Sequence, residues 1–235
     1  MRITLRVNVR QLLCGMSMLL GGTVLADTGA TRYPNMAPFE QYQMAPAAEI
    51  ALARSAAPPS VSGQAEVLVL GNKGYETAVK GTNGFVCLVV RSWMAGFDSD
   101  DFWDPKLSAP NCFNAASVRS VLQNYRERTK WVLAGLSKAE LFARTREAIA
   151  SRQFVLPEAG AMTYMMSKDQ FTSEADKHWH PHLMFFVANS PAKAWGENLA
   201  GTGVYGSRSD PDPITTYFVP VPKWSDGEPD AHAGH

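Results

Sequence analysis

Residues 66–90 read EVLVLGNKGYETAVKGTNGFVCLVV, which is three short β-rich runs separated by turns rich in glycine and asparagine. Glycine and asparagine tolerate the positive φ angles that tight hairpin turns require. The last run, 85–90, is apolar throughout, which is typical of a central strand that is buried on both faces. In the middle run, 75–80, the side-chain type alternates from one residue to the next, which predicts that one face of this strand is exposed to solvent. The pattern predicts a three-stranded antiparallel meander.

Two amphipathic helices are predicted next along the chain. Asn114 is placed to cap the first helix, whose apolar residues recur on one stripe until Gly135 ends it. Ser137 and Glu140 have the spacing of a capping box for the second helix. Strand-like segments return at 161–166, 182–187 and 214–221. This order of elements predicts an α+β fold in which a helical hairpin packs on an antiparallel β-sheet.

The first 26 residues have the layout of a secretory signal peptide. Three arginines and no acidic residue precede an apolar stretch, 12–25, and small residues stand before Asp27. A membrane anchor is the competing interpretation, but the apolar stretch is shorter than the ~20 residues that span a bilayer and contains three glycines. We expect cleavage after Ala26, export to the periplasm or the extracellular medium, and no membrane span in the mature chain.

The charge of the chain restricts the kinds of partner that it can bind, and its composition indicates where the folded domain begins and ends. Cleavage would change the 22 basic and 22 acidic side chains to 19 and 22, a net charge of −3. A negative chain has no electrostatic basis for binding nucleic acid. Residues 27–48 and 223–235 lack apolar periodicity and are predicted to be flexible ends. The segment 49–222 is predicted to form a single α+β domain.

Two cysteines, Cys87 and Cys112, would remain in the mature chain. An even number of cysteines in an exported protein predicts a disulfide, here closing a loop of about 25 residues. The alternative is a pair of buried free thiols.

The stretch HWHPHLMFF begins at His178 and holds the residues most suggestive of chemistry. His178, His180 and His182 would point the same way if this segment is extended, and imidazole nitrogens are good ligands for Zn²⁺ or Cu²⁺. The outer two lie ~13 Å apart along a strand, so a histidine pair with a distant third ligand is the more plausible metal site. The alternatives are histidines with a purely structural role, and histidines that act as general acid or base.

His182 is the histidine most closely tied to the apolar core. It enters the run 183–187 and shares a face with Met184 and Phe186. We expect it to line the principal cavity, with a hydrogen-bond or metal partner for its ring, and we expect His178 to be more exposed.

A set of short motifs resembles a group of uncharacterised exported bacterial proteins. The motifs are NGFVC from Asn83, APNC from Ala109, MTYMMS from Met162 and HPHLM from His180, and the resemblance covers about residues 45–225. It implies export and a shared domain, and it carries no assigned activity. Among the three histidines it favours His182.

Three functions remain open from the sequence. The first is an exported domain that binds a small apolar or aromatic ligand or a transition metal, because aromatic residues and methionine surround a short polar cluster. The second is a metal-assisted hydrolase that uses the cluster of His178, His180 and His182, with Glu158 or Asp169 as the base. The third is a structural protein that interacts with the cell envelope.

Overall fold

A computed structural model describes residues 33–174, 177, 179–191 and 193–231 of the chain. The predicted signal peptide, residues 1–26, lies outside the described residues, and so does His178. The strands of the fold are β1 (Glu66–Gly71), β2 (Gly74–Val79), β3 (Val86–Val90), β4 (Ala109–Phe113), β5 (Met162–Met165), β6 (His182–Ala188), β7 (Tyr205–Arg208) and β8 (Ile214–Pro220).

These strands form one eight-stranded sheet in the order β2-β1-β3-β4-β5-β6-β8-β7. Every neighbouring pair is antiparallel except β1 and β3, which are parallel. The fold therefore mixes helices with a largely antiparallel sheet, and the prediction of a purely antiparallel sheet is wrong at this one pair.

The meander predicted for 66–90 is correct for β1 and β2 and wrong for β3. All five residues of β3 are buried, whereas the middle of β2 is exposed, so β2 forms the sheet edge and β3 lies inside, beside β1. The chain reaches β3 by crossing the start of β1. At that crossing a Cβ atom on Gly81 would lie 2.0 Å from the backbone nitrogen of Glu66, so a side chain does not fit there.

The helices are α1 (Pro46–Arg54), α2 (Pro59–Ser62), α3 (Ala115–Arg119), α4 (Val121–Leu133) and α5 (Lys138–Ala150). The Asn114 side chain caps α3, and Ser137 and Glu140 form the predicted capping box of α5. The first predicted helix is divided into α3 and α4 at Ser120, whose φ and ψ of −118° and −81° are not helical. Gly135, with φ of +87°, follows α4 as predicted.

Helices cover both faces of the sheet at β1, β3 and β4. On one face, α4 and the strands enclose the larger apolar core, which includes Leu88, Phe113 and Leu122. On the other face, α1 contacts β1, β3 and β4 through small side chains such as Ala53. The α1 layer was not predicted, because an alanine-rich segment has little apolar periodicity to detect.

Both ends of the described chain contain buried side chains. The hydroxyl of Tyr42 donates a hydrogen bond of 2.8 Å to the backbone oxygen of Trp103. Near the other end, Trp224 is buried and the Ser225 amide donates to the backbone oxygen of Met166. The packed part of the chain therefore extends beyond the predicted limits of 49 and 222.

Cys87 and Cys112 lie directly opposite each other on β3 and β4. Their sulfur atoms are 1.92 Å apart, which agrees with the predicted disulfide, and both residues are fully buried on the α1 face. In the described part of the chain, no helix combines the length and the apolar character needed to cross a membrane.

Candidate ligand-binding cleft

His182 begins strand β6 and is buried, with 2% of its surface exposed. Its ring packs against Trp179 and Phe218, with centroid distances of 4.8 and 5.8 Å. Its Nδ1 atom lies 2.7 Å from the backbone oxygen of His180. Because a carbonyl oxygen can only accept, Nδ1 carries the proton and Nε2 holds the lone pair. Burial lowers the pKa of His182 to about 4, so the ring is neutral at physiological pH.

His180 is held by a carboxylate. Its Nδ1 atom lies 2.6 Å from Oδ2 of Asp230, whose side chain is buried, whereas about a quarter of the His180 side chain is exposed. Since the carboxylate oxygen accepts, Nδ1 of this ring also carries a proton. Both described histidines therefore use Nδ1 to bond to the protein.

The predicted metal site is described only in part. His180 and His182 lie together at the start of β6, and His178 is outside the described residues. Among the residues that are described, no three His, Cys, Asp or Glu side chains form a group that could hold a metal ion. A third ligand for the histidine pair is therefore not identified.

In the described residues, neither predicted base of the hydrolase hypothesis is bonded to the histidines. Glu158 precedes β5 at the end where Met162 pairs with Phe185, whereas His182 pairs with Met165 at the other end. Glu158 instead binds the guanidinium of Arg119 at 2.6 Å. Asp169 is exposed in the turn that follows β5. In the described residues neither carboxylate forms a hydrogen bond with His180 or His182.

A cavity of about 280 Å³, here called the cleft, lies between helix α4 and strands β6, β7 and β8. Alternate residues of β6 and β8 face it, because side chains two positions apart on a strand share a face. Its apolar lining includes Met94, Phe97, Val121, Met184, Phe186, Ile214 and Phe218.

His182 does not line this cleft, contrary to the prediction. Its burial and its shared face with Met184 and Phe186 were predicted correctly, but only those two residues of the strand reach the cleft. The rings of Trp179 and Phe218 pack against His182, so His182 belongs to an aromatic cluster beside the cleft.

The charged side chains and the amide of the cleft lining come from α4 and from the loop between β7 and β8. Arg128 is 4% exposed, and its Nη2 atom lies 3.1 Å from Oδ2 of Asp212. Its guanidinium carbon also lies 4.7 Å from the ring centroid of Phe97, a cation–π contact. Asn124, one helical turn before Arg128, is 8% exposed. The cleft is therefore an apolar space with a buried cation, its counter-ion and a buried amide in its walls.

Two polar atoms in these walls are buried without a hydrogen-bond partner among the described residues, Oδ1 of Asn124 and Nε of Arg128. The Asn124 amide is oriented by its Nδ2 atom, which donates to the backbone oxygen of Val155 at 3.4 Å. Leaving a buried polar atom unpaired costs about 1–3 kcal/mol. Such atoms are uncommon in folded proteins and call for a functional or structural reason.

Tyr125 adds a hydroxyl group to the lining. Desolvation raises the pKa of its hydroxyl to about 12, while Arg128 and Asp212 act on it in opposite directions. The hydroxyl therefore stays protonated and neutral at physiological pH.

A second cavity of about 860 Å³ adjoins the cleft and shares Phe97 and Ser209 with it. It is larger and more open, and exposed charged residues such as Arg208 and Asp210 line it. Within the described chain, none of its lining side chains has a buried unpaired polar atom. The smaller cleft is the stronger candidate site, because two buried polar atoms of its lining residues have no hydrogen-bond partner in the described protein. A ligand can supply the missing partners.

Sequence reasoning missed Asn124, Arg128 and Asp212. The cationic residues of the helical hairpin look like a solvated face, but positions 121, 124, 125, 128 and 132 lie on one face of α4 at spacings of three and four. That spacing was the signal that Asn124 and Arg128 belong to the buried stripe. Asp212 lies between two prolines in a loop and gave no signal of its own.

No protein-family model, curated protein or solved structure has significant similarity to this chain.

Proposed function

We propose that this protein binds a small, largely apolar molecule in the cleft between α4 and strands β6, β7 and β8, and that it does so without catalysing a reaction. The observation that carries the proposal is the presence of unpaired polar atoms on two buried side chains, Asn124 and Arg128, within an apolar lining. Ligand sites combine a mostly apolar surface with a few fixed polar groups in this way.

The size of the cleft limits the ligand. Its volume of about 280 Å³ is just below the usual range of small-molecule sites, about 300–1,000 Å³. A ligand with one ring or a short branched chain fits this volume. A longer ligand would extend past Phe97 into the adjoining open cavity.

The first test is a titration with toluene and with benzamide, followed by NMR of the protein methyl groups. We expect saturable shifts of the Met184 and Val121 methyl resonances, since both residues line the cleft. The variant Thr216→Trp should abolish these shifts, because the indole would occupy the cleft from the centre of β8.

Val219→Trp is the matched control. Val219 lies on the same strand three positions later and is partly buried, but it is on the opposite face from Thr216 and does not line the cleft. This variant should bind both probes as the unmodified protein does. Failure of both probes to shift the cleft resonances, or equal binding by the two tryptophan variants, would contradict the proposal.

A transition-metal site at His180 and His182 is a second candidate. Histidines that bind metals commonly donate their other ring nitrogen to a carboxylate or a backbone carbonyl, and both Nδ1 atoms are engaged in this way. The neutral state of His182 also suits a ligand for Zn²⁺ or Cu²⁺.

Calorimetric titration with Zn²⁺ and Cu²⁺ tests this second candidate. We expect His180→Ala and His182→Ala each to weaken binding by about tenfold or more, and His178→Ala to have a smaller effect. No detectable binding by the unmodified protein at micromolar metal would leave both residues with a structural role.

A further inference from the structure

The charge balance of the cleft bears on the chemistry of its ligand. Arg128 is buried, and the carboxylate of Asp212 already binds its Nη2 atom. An anionic ligand would gain from Arg128 but would also approach Asp212, and a cationic ligand would face the reverse problem. Arg128 and Asp212 compensate each other, so neither an anionic nor a cationic ligand would find a free opposite charge in this desolvated site.

The unpaired atoms of the cleft are one donor and one acceptor. Arg128 Nε carries a hydrogen and can only donate, and Asn124 Oδ1 can only accept; the contact of Asn124 Nδ2 with Val155 distinguishes the amide nitrogen from the oxygen. The two residues are one helical turn apart, so their Cβ atoms are separated by about 5–6 Å. A complementary ligand presents an acceptor and a donor on neighbouring atoms and carries no net charge.

We propose that the ligand of the cleft carries an uncharged carboxamide, whose oxygen accepts from Arg128 Nε and whose N–H donates to Asn124 Oδ1. This inference rests on the proposed function and specifies the polar group of the ligand. Both residues line the cleft, but these two atoms have almost no exposed surface, so the guanidinium and the amide must rotate for a bound group to reach them. A carboxylate leaves Asn124 Oδ1 unpaired, and an ammonium group leaves Arg128 Nε unpaired.

Four ring compounds of similar size separate these cases: benzamide, benzoate, benzylamine and toluene. Their dissociation constants are measured with the unmodified protein by the shifts of the Met184 and Val121 methyl resonances. Benzamide should bind about tenfold or more tightly than toluene, because it supplies both missing hydrogen bonds. Benzoate and benzylamine should each bind more weakly than benzamide.

The variant Asp212→Asn provides a second, directional test. Asp212 is about a quarter exposed in a loop, so the isosteric change is tolerable for folding, and it leaves Arg128 without its counter-ion. We expect the preference to shift toward benzoate, which should gain about tenfold relative to benzamide through a charge-assisted hydrogen bond.

The outcomes distinguish this inference from the proposed function. If toluene binds in the cleft and benzamide is no tighter, or if benzoate or benzylamine is the tightest ligand of the unmodified protein, the carboxamide assignment is wrong and the cleft remains a binding site. If none of the four compounds shifts the cleft resonances, the proposed function itself fails. An unchanged preference in folded Asp212→Asn would also overturn the assignment.

Discussion

The environment of His182 determines its protonation. The ring lies among Trp179 and Phe218 at the start of β6, and its Nδ1 atom is bonded to a backbone oxygen. The predicted burial is confirmed, whereas its role as a metal ligand stays a prediction. Burial without a counter-ion at the ring disfavours the imidazolium and lowers the pKa of His182, while the hydrogen bond to the His180 carbonyl opposes this shift and the electrostatic effect of His180 adds to it.

This environment predicts that acid destabilises the fold through His182. The pKa of His182 is about 4 in the folded protein, against 6.5 for an unperturbed histidine, so the unfolded state binds more protons between these values. The free energy of unfolding should therefore fall as the pH decreases from about 6.5 to about 4, by on the order of 3 kcal/mol from this group.

Urea unfolding at about pH 7 and about pH 4.5, with a chelator present, measures the effect. His182→Gln keeps a polar side chain and removes the titrating ring, so its stability should change less between the two pH values. The same pH dependence in both proteins would show that His182 is not the group responsible.

Glu49 and Arg91 form a fully buried ion pair that the sequence did not reveal. Nη2 of Arg91 lies 2.8 Å from Oε1 of Glu49, and the two side chains are 2% and 1% exposed. Nε of Arg91 donates to the backbone oxygen of Tyr42, and Glu49 accepts from the Leu70 amide. The pair thus joins helix α1 to the strands beneath it.

Removing one partner of this pair should be strongly destabilising. We expect Glu49→Ala to lower the free energy of unfolding by about 3–5 kcal/mol, because the guanidinium of Arg91 would be left buried and uncompensated. Glu158→Ala, which breaks an exposed pair with Arg119, is the matched control and should lower the free energy of unfolding much less, because solvent screens an exposed pair. Chemical denaturation of both variants measures the difference, and similar losses in the two would contradict this account.

At the scale of elements, the disulfide joins β3 to β4 at the centre of the face that α1 covers. Cys87 and Cys112 occupy opposite positions in the two strands, with a Cα separation of 4.0 Å. The bond closes a loop across 25 positions of sequence, which includes the 3-10 turn Ser92–Met94. The crosslink therefore restricts the unfolded chain, and in the folded protein it joins two residues that are already paired between β3 and β4.

The double variant Cys87→Ala, Cys112→Ala should have a free energy of unfolding about 3 kcal/mol lower than that of the oxidised protein, because the bond no longer closes a loop of about 25 residues in the unfolded chain. The comparison is made by urea unfolding of both proteins. Peptide mapping without reductant should recover the crosslinked pair. Free alkylation of both thiols in the protein denatured without reductant would show that the bond is absent.

The elements were easier to predict than their arrangement. Alternation of polar and apolar residues and the Gly/Asn turns located β1, β2 and β3, and the Ser137 capping box located the start of α5. These signals are local and depend on a few neighbouring residues. The pairing of β3 with β1 is not local, because it depends on which strand is buried on both faces.

At the scale of the whole molecule, the cleft exists only because distant segments meet. Asn124 and Arg128 come from α4, Met184 and Phe186 from β6, and Asp212 from the loop before β8. No single segment carries a recognisable motif. The histidine segment was visible in the sequence because its residues are adjacent, but His182 is packed among aromatic rings outside the cleft.

The most direct test of ligand binding in the cleft is a measurement of intermolecular nuclear Overhauser contacts between bound toluene or benzamide and the protein. We predict contacts from the ring protons of either probe to the methyl groups of Met184 and Ile214, which line the cleft from the neighbouring strands β6 and β8. Binding with contacts only to residues outside the cleft, or no binding of either probe, would contradict the account.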